Sequence, residues 1–358
     1  MKSAAASNKT TRDLFEPRQA PFPEEYDFSA FKDGIRQSYW VHDEFNFEGD
    51  IQDYHAECSP TEQAVIERAM LAISQIEVSV KKFWGTTLPR RVRKPEVHDI
   101  GASFGESEVR HKDAYAHLLR RLGLGQRFAD LEGVEAIQRR IDYLSEHKRH
   151  ATADQGEASD RQFIETLMLF SIFIEHVSLF SQFLILTAFD KHTKRFRGIA
   201  NAVEATSKEE QLHSLYGAEL VRICRDERPE WFEGGRMEAR AHAACKDAFE
   251  GEKAVLGWIY GEGDLGFLPR KTAEVFVKDR FNDGLSKLGF SEVFSFTEEE
   301  RKRLRAVEWF EEDRLMTKDN DFFSKRSTTY TKNNATVTAD TIFGPEDGAG
   351  LLPPEEGY

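Results

Sequence analysis

Two stretches of this chain place a glutamate and a histidine three residues apart: Glu108 and His111 in ESEVRHKDAY, and Glu210 and His213 in EEQLH. In a helix a step of three turns the chain by roughly 300° and advances it about 4.5 Å, so both side chains of a pair leave by nearly the same face. Two further glutamates stand in apolar surroundings, Glu77 among Ile73, Ile76 and Val80, and Glu175 within LFSIFIEHVSLF. Burying an unpaired carboxylate costs several kcal/mol even after relaxation. Two divalent cations would balance the charge of all four glutamates, while His111 and His213 would each add a neutral nitrogen. Such an oxygen-rich donor set with one imidazole per metal suits iron or manganese, and redox chemistry with oxygen is its natural use. Tyr115 lies one turn beyond His111, near enough to take part.

One Glu-x-x-His pair arises readily by chance. The chain order Glu, Glu-x-x-His, Glu, Glu-x-x-His is, however, the ligand pattern of carboxylate-bridged dimetal sites in ferritin-like four-helix bundles. The helices needed to carry it are legible. Ser59, Pro60 and Glu62 form a helix start with a capping box, and apolar positions from Val65 to Phe83 continue it to about Trp84. The helix bearing Glu108 begins between Pro95 and Ser103 and stops at Gly123 and Gly125. Further helices are expected at 133–148, 161–188, 199–224, 236–258, 271–287 and 297–313, with no sustained strand alternation, so the fold class is all-α. Residues 1–24 read as a flexible N-terminal segment, 25–330 as one helical domain, and 331–358 as a flexible acidic tail. Ile342, Phe343, Leu351, Leu352 and Tyr358 give that tail apolar handles for a partner.

A net charge of -14 argues against general affinity for nucleic acid or anionic membrane surfaces. The basic runs at Arg90, Arg91, Arg93 and Lys94, and at Lys194, Arg195 and Arg197, are expected to be solvated. Cys58, Cys224 and Cys245 are far apart and expected as small core residues in a reducing compartment. With no apolar leader, and with Glu165, Glu175 and His176 interrupting the one long apolar stretch, a cytoplasmic protein without a membrane span is expected. His176 points away from Glu175 and is read as structural.

The sequence resembles the small, radical-generating subunit of class I ribonucleotide reductase over roughly residues 35–330. The resemblance rests on W-x-x-x-E at Trp40 to Glu44, DIQDY at 50–54, Glu77, EVRHKDAY at 108–115, Glu175, EEQLH at 209–213 and FFSKRSTTY at 322–330. It implies a dinuclear manganese or iron centre at Glu77, Glu108, His111, Glu175, Glu210 and His213 that is oxidised and stores one oxidising equivalent. That equivalent would pass to a separate large, catalytic subunit that reduces ribonucleotides to deoxyribonucleotides, and the small subunit would be a homodimer. The implied exit route is His111, Glu209 and Trp40, with Tyr358 the only tyrosine after Tyr330 to continue it.

The chain departs from the family's pattern at four points. Glu77 and Glu209 stand where aspartate is common, Leu179 and Thr206 fall near the usually apolar and partly aromatic pocket of the radical tyrosine, and Tyr358 is the last residue. These departures leave two places for the stored equivalent, Tyr115 or the metal pair itself, the latter as in subclasses that use manganese or a mixed pair. IEHVSLFSQF and VEATSKEEQLH resemble the manganese-using subclass. Two other readings use the same ligands: a dimetal oxidase or hydroxylase acting on its own small substrate, and a non-catalytic iron-binding bundle.

Overall fold

In the computed structural model the described residues are 13–17, 25–152 and 156–311, with side chains from 146 to 152 left aside. Within them the chain forms α1 (Ser29–Gln37), α2 (Glu48–Gln52), α3 (Pro60–Lys82), α4 (Leu88–Arg91), α5 (Pro95–Arg121) and α6 (Glu135–Thr152). There follow α7 (Glu157–Met168), α8 (Leu179–Thr193), α9 (Arg197–Glu227), α10 (Arg236–Ile259), α11 (Arg270–Lys287) and α12 (Glu298–Arg305). No strand occurs among the described residues. The expected helices are all present; those expected at 133–148, 161–188 and 199–224 run about a turn further at one end or both, and the others except the last match closely. The last is shorter than expected: α12 stops at Arg305 and gives way to a turn at 306–308. The segment 25–59, for which the sequence reading names no individual helix, contains α1 and α2; both are too short for an apolar period to show. FFSKRSTTY, the tail 331–358 and Tyr358 lie outside the described residues.

Four long helices make the bundle. α3 packs on α5 and α8, and α9 packs on α8 and on the stretch joining α7 to α8. That stretch, Leu169–Ser178, is π-helical, so α7, it and α8 run as one rod. Its apolar window is wholly buried in the bundle, which is what a central core helix requires. Ser59 starts α3 as expected: its side chain accepts from the Glu62 amide while the Glu62 carboxylate returns to the Ser59 amide. A second π-helical turn, Phe83–Thr87, follows α3 and turns Trp84 into the core beside Phe83, whose ring stacks on Phe170 at 4.4 Å. Each such fully buried ring contributes on the order of 1.5–3 kcal/mol.

The start of α9 is pinned by side chains from the α2 region. Asp50 accepts from the amides of Gly198 (3.1 Å) and Ile199 (2.7 Å), and Asp53 accepts from that of Phe196 (2.8 Å). A methyl group on Gly198 would fall 2.4 Å from an Asp50 carboxylate oxygen, so only glycine allows the clamp to close. α9 carries Glu209, Glu210 and His213, so this clamp fixes where they stand along the bundle.

Three expectations about burial need correction. Arg91 and Lys94 are buried, paired with Asp160 and Glu25 respectively, rather than solvated. Arg195 is mostly buried and bonds Glu62 and the Glu57 carbonyl. Cys58 is only half-buried beneath that guanidinium, whereas Cys224 and Cys245 are buried as expected. Charge runs at helix ends look solvated in sequence, but their long side chains reach back over the next helix.

Candidate metal centre

Each of the four bundle helices contributes as its spacing requires. α3 supplies Glu77, α5 supplies Glu108 and His111, the π-helical stretch supplies Glu175, and α9 supplies Glu210 and His213. All six side chains are fully buried. They form two overlapping groups, Glu77, Glu108, His111 and Glu210, and Glu108, Glu175, Glu210 and His213, each with its ligand atoms within 4.8 Å of one another.

The overlap assigns roles that spacing could not. Glu210 presents Oε1 to His111 Nδ1 at 2.9 Å and Oε2 to His213 Nδ1 at 3.0 Å. Glu108 divides in the same way, with Oε1 2.9 Å from His213 Nδ1 and Oε2 3.5 Å from His111 Nδ1. Both are placed to bridge. Glu77, 3.8 Å from His111 Nδ1, and Glu175, 3.6 Å from His213 Nδ1, sit at opposite ends.

These residues fit a dinuclear metal centre. Both oxygens of Glu77 and of Glu108, Oε2 of Glu175, Oε1 of Glu210 and Nδ1 of His111 are buried without a hydrogen-bond partner among the described residues. His111 Nδ1 and Glu210 Oε1 lie 2.9 Å apart yet are not aligned as donor and acceptor. Lone pairs converging on a common dry point are arranged for cations, and leaving them unfilled costs on the order of 1–3 kcal/mol per group.

The metal-free electrostatics express the same strain. Burial, reinforced by Glu108 and Glu175, pushes Glu77 and Glu210 well above the ordinary carboxyl range. Burial also pushes Glu108 upward, but the close imidazoles of His111 and His213 outweigh that and hold it far below the range. His213 is raised to about 9, its burial outweighed by Glu175 and Glu108. His111 is raised likewise, against burial, by Glu108 and Glu209.

A surrounding layer orients the ligands, and the sequence does not single most of it out. With Nδ1 facing the carboxylates, each histidine ties its Nε2 outward: His111 to Glu209 Oε2 at 2.8 Å, His213 to Ser107 Oγ at 3.1 Å. That is how a ligating imidazole is held in one tautomer and orientation. Trp84 donates its indole N–H to Glu175 Oε1 at 2.5 Å. It stands seven residues after Glu77, two turns along the same face, which was the available signal. Arg110, next to His111, forks onto both oxygens of Glu209 at 3.1 Å. A buried arginine beside a ligand has no periodic signature, and none could have found it.

Trp40 is buried and stacks on the His111 ring, centroids 5.7 Å apart and planes at 16°. Glu209 stands between His111 and Arg110, so the three residues of the implied exit route are brought together. Tyr115 is buried and donates to Thr206 Oγ1 at 3.3 Å, so the threonine noted as a departure is its polar neighbour. Leu179 is buried. His176 is structural as expected: Asp283 lies 2.7 Å from its Nε2, and Arg280 binds its other ring nitrogen and its carbonyl.

With this geometry in view, the sequence matches the family described as "Ribonucleotide reductase, small chain" over residues 21–302. The protein named probable ribonucleoside-diphosphate reductase small subunit 048L of Invertebrate iridescent virus 3 is 22% identical over 319 residues, covering 86% of this chain and 82% of that protein. Among solved structures, the ribonucleotide reductase R2 subunit from Clostridium botulinum superposes with a TM-score of 0.69 at 12% identity, covering 78% of this chain and 87% of that one. Dimanganese(II)-NrdF of Streptococcus sanguinis gives 0.66 at 15%, covering 78% and 94%. An R2-like ligand-binding oxidase with a Mn/Fe cofactor gives 0.61 at 15%, covering 74% and 94%. At these identities the structural likenesses establish the shared ferritin-like fold.

Proposed function

The chain belongs to the ribonucleotide reductase small-chain family, and from that premise we propose that Glu77, Glu108, His111, Glu175, Glu210 and His213 hold a pair of manganese or iron ions from which an oxidising equivalent leaves through His111, Glu209 and Trp40. The protein is the radical-generating small subunit of ribonucleoside-diphosphate reductase, an oxidoreductase that works with a large subunit. The observation that carries the proposal is the convergence of six buried ligands on two adjoining points, with two glutamates shared between them. A bound metal pair supplies one-electron oxidising power that no side chain has by itself.

The remaining roles belong to the chain. Glu209 holds the outer nitrogen of His111, and the stacked Trp40 ring gives an electron a path of close contacts into the buried site. Thr206 accepts a hydrogen bond from the Tyr115 hydroxyl, so the position that departs from the family's pattern touches the candidate radical tyrosine directly. The departures at Glu77, Glu209, Leu179 and Thr206 favour the metal pair over Tyr115 as the store, and the likeness to a dimanganese protein supports manganese as one of its metals.

We assign the described residues 25–311 to the helical domain and the segment 331–358, with Tyr358, to docking on the large subunit; residues 13–17, within the lead expected to be flexible, are instead held on the bundle by the buried Leu14, whose amide donates to Glu227. Val78 on α3 and Val109 on α5 are exposed on adjoining helices, which supports a homodimer through that face. A cytoplasmic location, with roles in deoxyribonucleotide supply for DNA replication and without nucleic-acid or membrane partners, agrees with the net charge of -14. The likeness to a ligand-binding oxidase favours a second reading, oxidation of a small molecule by the small chain alone. Deleting residues 331–358 separates the two: metal uptake stays normal while nucleotide reduction with the large subunit is lost. Full reduction by the truncated chain would refute the docking role.

A further inference from the structure

Glu209 is saturated. Its Oε1 accepts from Ser38 Oγ and Arg110 Nη2, both at 3.1 Å. Its Oε2 accepts from Arg110 Nη1 at 3.1 Å and meets His111 Nε2 at 2.8 Å. A carboxylate offers about four lone-pair sites, and all are taken. The Trp40 indole N–H is buried without a hydrogen-bond partner among the described residues, and its ring stacks on His111, the imidazole that Glu209 holds. The same guanidinium binds the Trp40 carbonyl at 3.0 Å and lies 5.9 Å from the Trp40 ring centroid. Its outer contacts reach the surface: Tyr39, 41% exposed, lies 4.5 Å from it, and Glu106 takes its Nε.

We propose that Arg110 is a positioning residue that gates the oxidation of Trp40: by occupying Glu209 it denies the indole a proton acceptor, and opening the Arg110–Glu209 fork supplies one. The inference rests on the exit route proposed above, whose stored equivalent is the oxidant. With the fork closed, Trp40 loses an electron only as a radical cation, next to a fixed guanidinium that disfavours further positive charge in a dry setting. With the fork open, Trp40 loses one electron inward across the stacked His111 ring and its Nε1 proton to the freed Glu209 oxygen. The neutral indolyl radical returns to tryptophan by taking one electron and one proton that originate from a thiol of the large subunit. Because Glu106 and Tyr39 lie at the rim, a docked large subunit can reach and shift the guanidinium, which ties release to assembly.

The test reads the indole directly. In metal-free protein labelled with 15N-tryptophan, the Trp40 indole cross-peak is assigned by its loss in Trp40→Phe. Arg110→Met keeps the hydrocarbon bulk and removes the fork. The expected result is a downfield shift of the Trp40 indole proton and exchange with solvent about tenfold slower, as one gained hydrogen bond predicts. In metal-loaded protein, the stored equivalent followed by electron paramagnetic resonance without the large subunit should decay several-fold faster in Arg110→Met, with Arg110→Lys between it and the unsubstituted chain. An unchanged Trp40 cross-peak in folded Arg110→Met overturns the proposal. Should that variant not fold, Arg110→Lys, whose single ammonium cannot grip both oxygens, takes its place: a downfield indole shift supports the gate and an unchanged cross-peak overturns it. Nucleotide reduction surviving in Trp40→Phe would instead overturn the exit route, and with it the gate, while leaving the indole shift to be observed, so the two failures are distinguishable.

Discussion

Gly217 stands four residues beyond His213 on α9, and Ser171 four residues before Glu175 on the π-helical stretch. A methyl group at position 217 would lie 2.0 Å from Ser171 Cβ and 2.3 Å from Ser171 Oγ. Carbon atoms in contact settle about 3.5–4.0 Å apart, so Gly217→Ala must part the two helices by roughly 1.5 Å. Overpacking costs about 1–3 kcal/mol, and the upper end applies because Cβ is not the free end of a flexible chain. Alanine regains about 1 kcal/mol over glycine in a helix, leaving a net loss of about 2 kcal/mol. For a domain of this size that lowers Tm by roughly 4 °C. The larger effect falls on the metals, since ligand atoms must stand within about 0.2 Å of their places. Cation affinity at the group containing Glu175 and His213 should fall about 10- to 100-fold. Ser171→Gly removes both clashing atoms and leaves Ser171 Cα at 3.5 Å, an ordinary contact, though it also removes the Oγ bond to the Leu167 carbonyl. Combining the two substitutions should therefore recover about 2–3 kcal/mol relative to their separate losses. Denaturant unfolding and metal content by elemental analysis of the four proteins measure this. Gly217→Ala that binds two metals with undiminished affinity, or a double variant showing no coupling, would refute the link between this packing contact and the site.

The metal-free protein should lose stability as pH rises. Glu77 and Glu210 keep protons in the fold that the unfolded chain sheds above about pH 4.3, so the fold is favoured less with each step upward. His213 acts in the same direction, its contribution complete below about pH 6.5 and gone once pH passes its folded value of about 9. Melting temperatures between these limits should decline without metal and flatten with manganese or iron bound; a metal-free Tm that climbs over the same interval would contradict the burial of these acids. Tyr115→Phe should keep substantial nucleotide reduction if the metal pair stores the equivalent, and complete loss at normal metal content would place it on Tyr115. Trp84→Phe removes the bond to Glu175 and should weaken metal binding about tenfold with little change in fold; unaltered affinity by titration calorimetry would deny that the indole orients the ligand.

Much of the site could be read from spacing, because a helix converts positions three apart into a shared face whatever surrounds it. Glu108 with His111 and Glu210 with His213 needed only that periodicity, and Glu77 and Glu175 were conspicuous because an acid among isoleucines and phenylalanines demands a partner. The boundaries of α3 and α5 followed from local chemistry at Ser59, Pro60, Gly123 and Gly125. Where spacing fell short, distance along the chain was the reason. Arg91 and Lys94 looked solvated because Asp160 and Glu25, which bury them, are 69 residues away in each case.

The chain by itself determined an all-α protein with six candidate ligands in the order a dimetal site needs, since side-chain type, helical period and capping are local properties. Only the folded bundle decided that Glu108 and Glu210 stand between the two histidines while Glu77 and Glu175 close the ends. It alone set Arg110 on Glu209, and left the Trp40 indole proton without a taker among the described residues. Those choices depend on how helices cross and how far apart they rest, and that is settled by contacts such as Gly217 on Ser171 and Asp50 on the first turn of α9, between residues that no local rule connects.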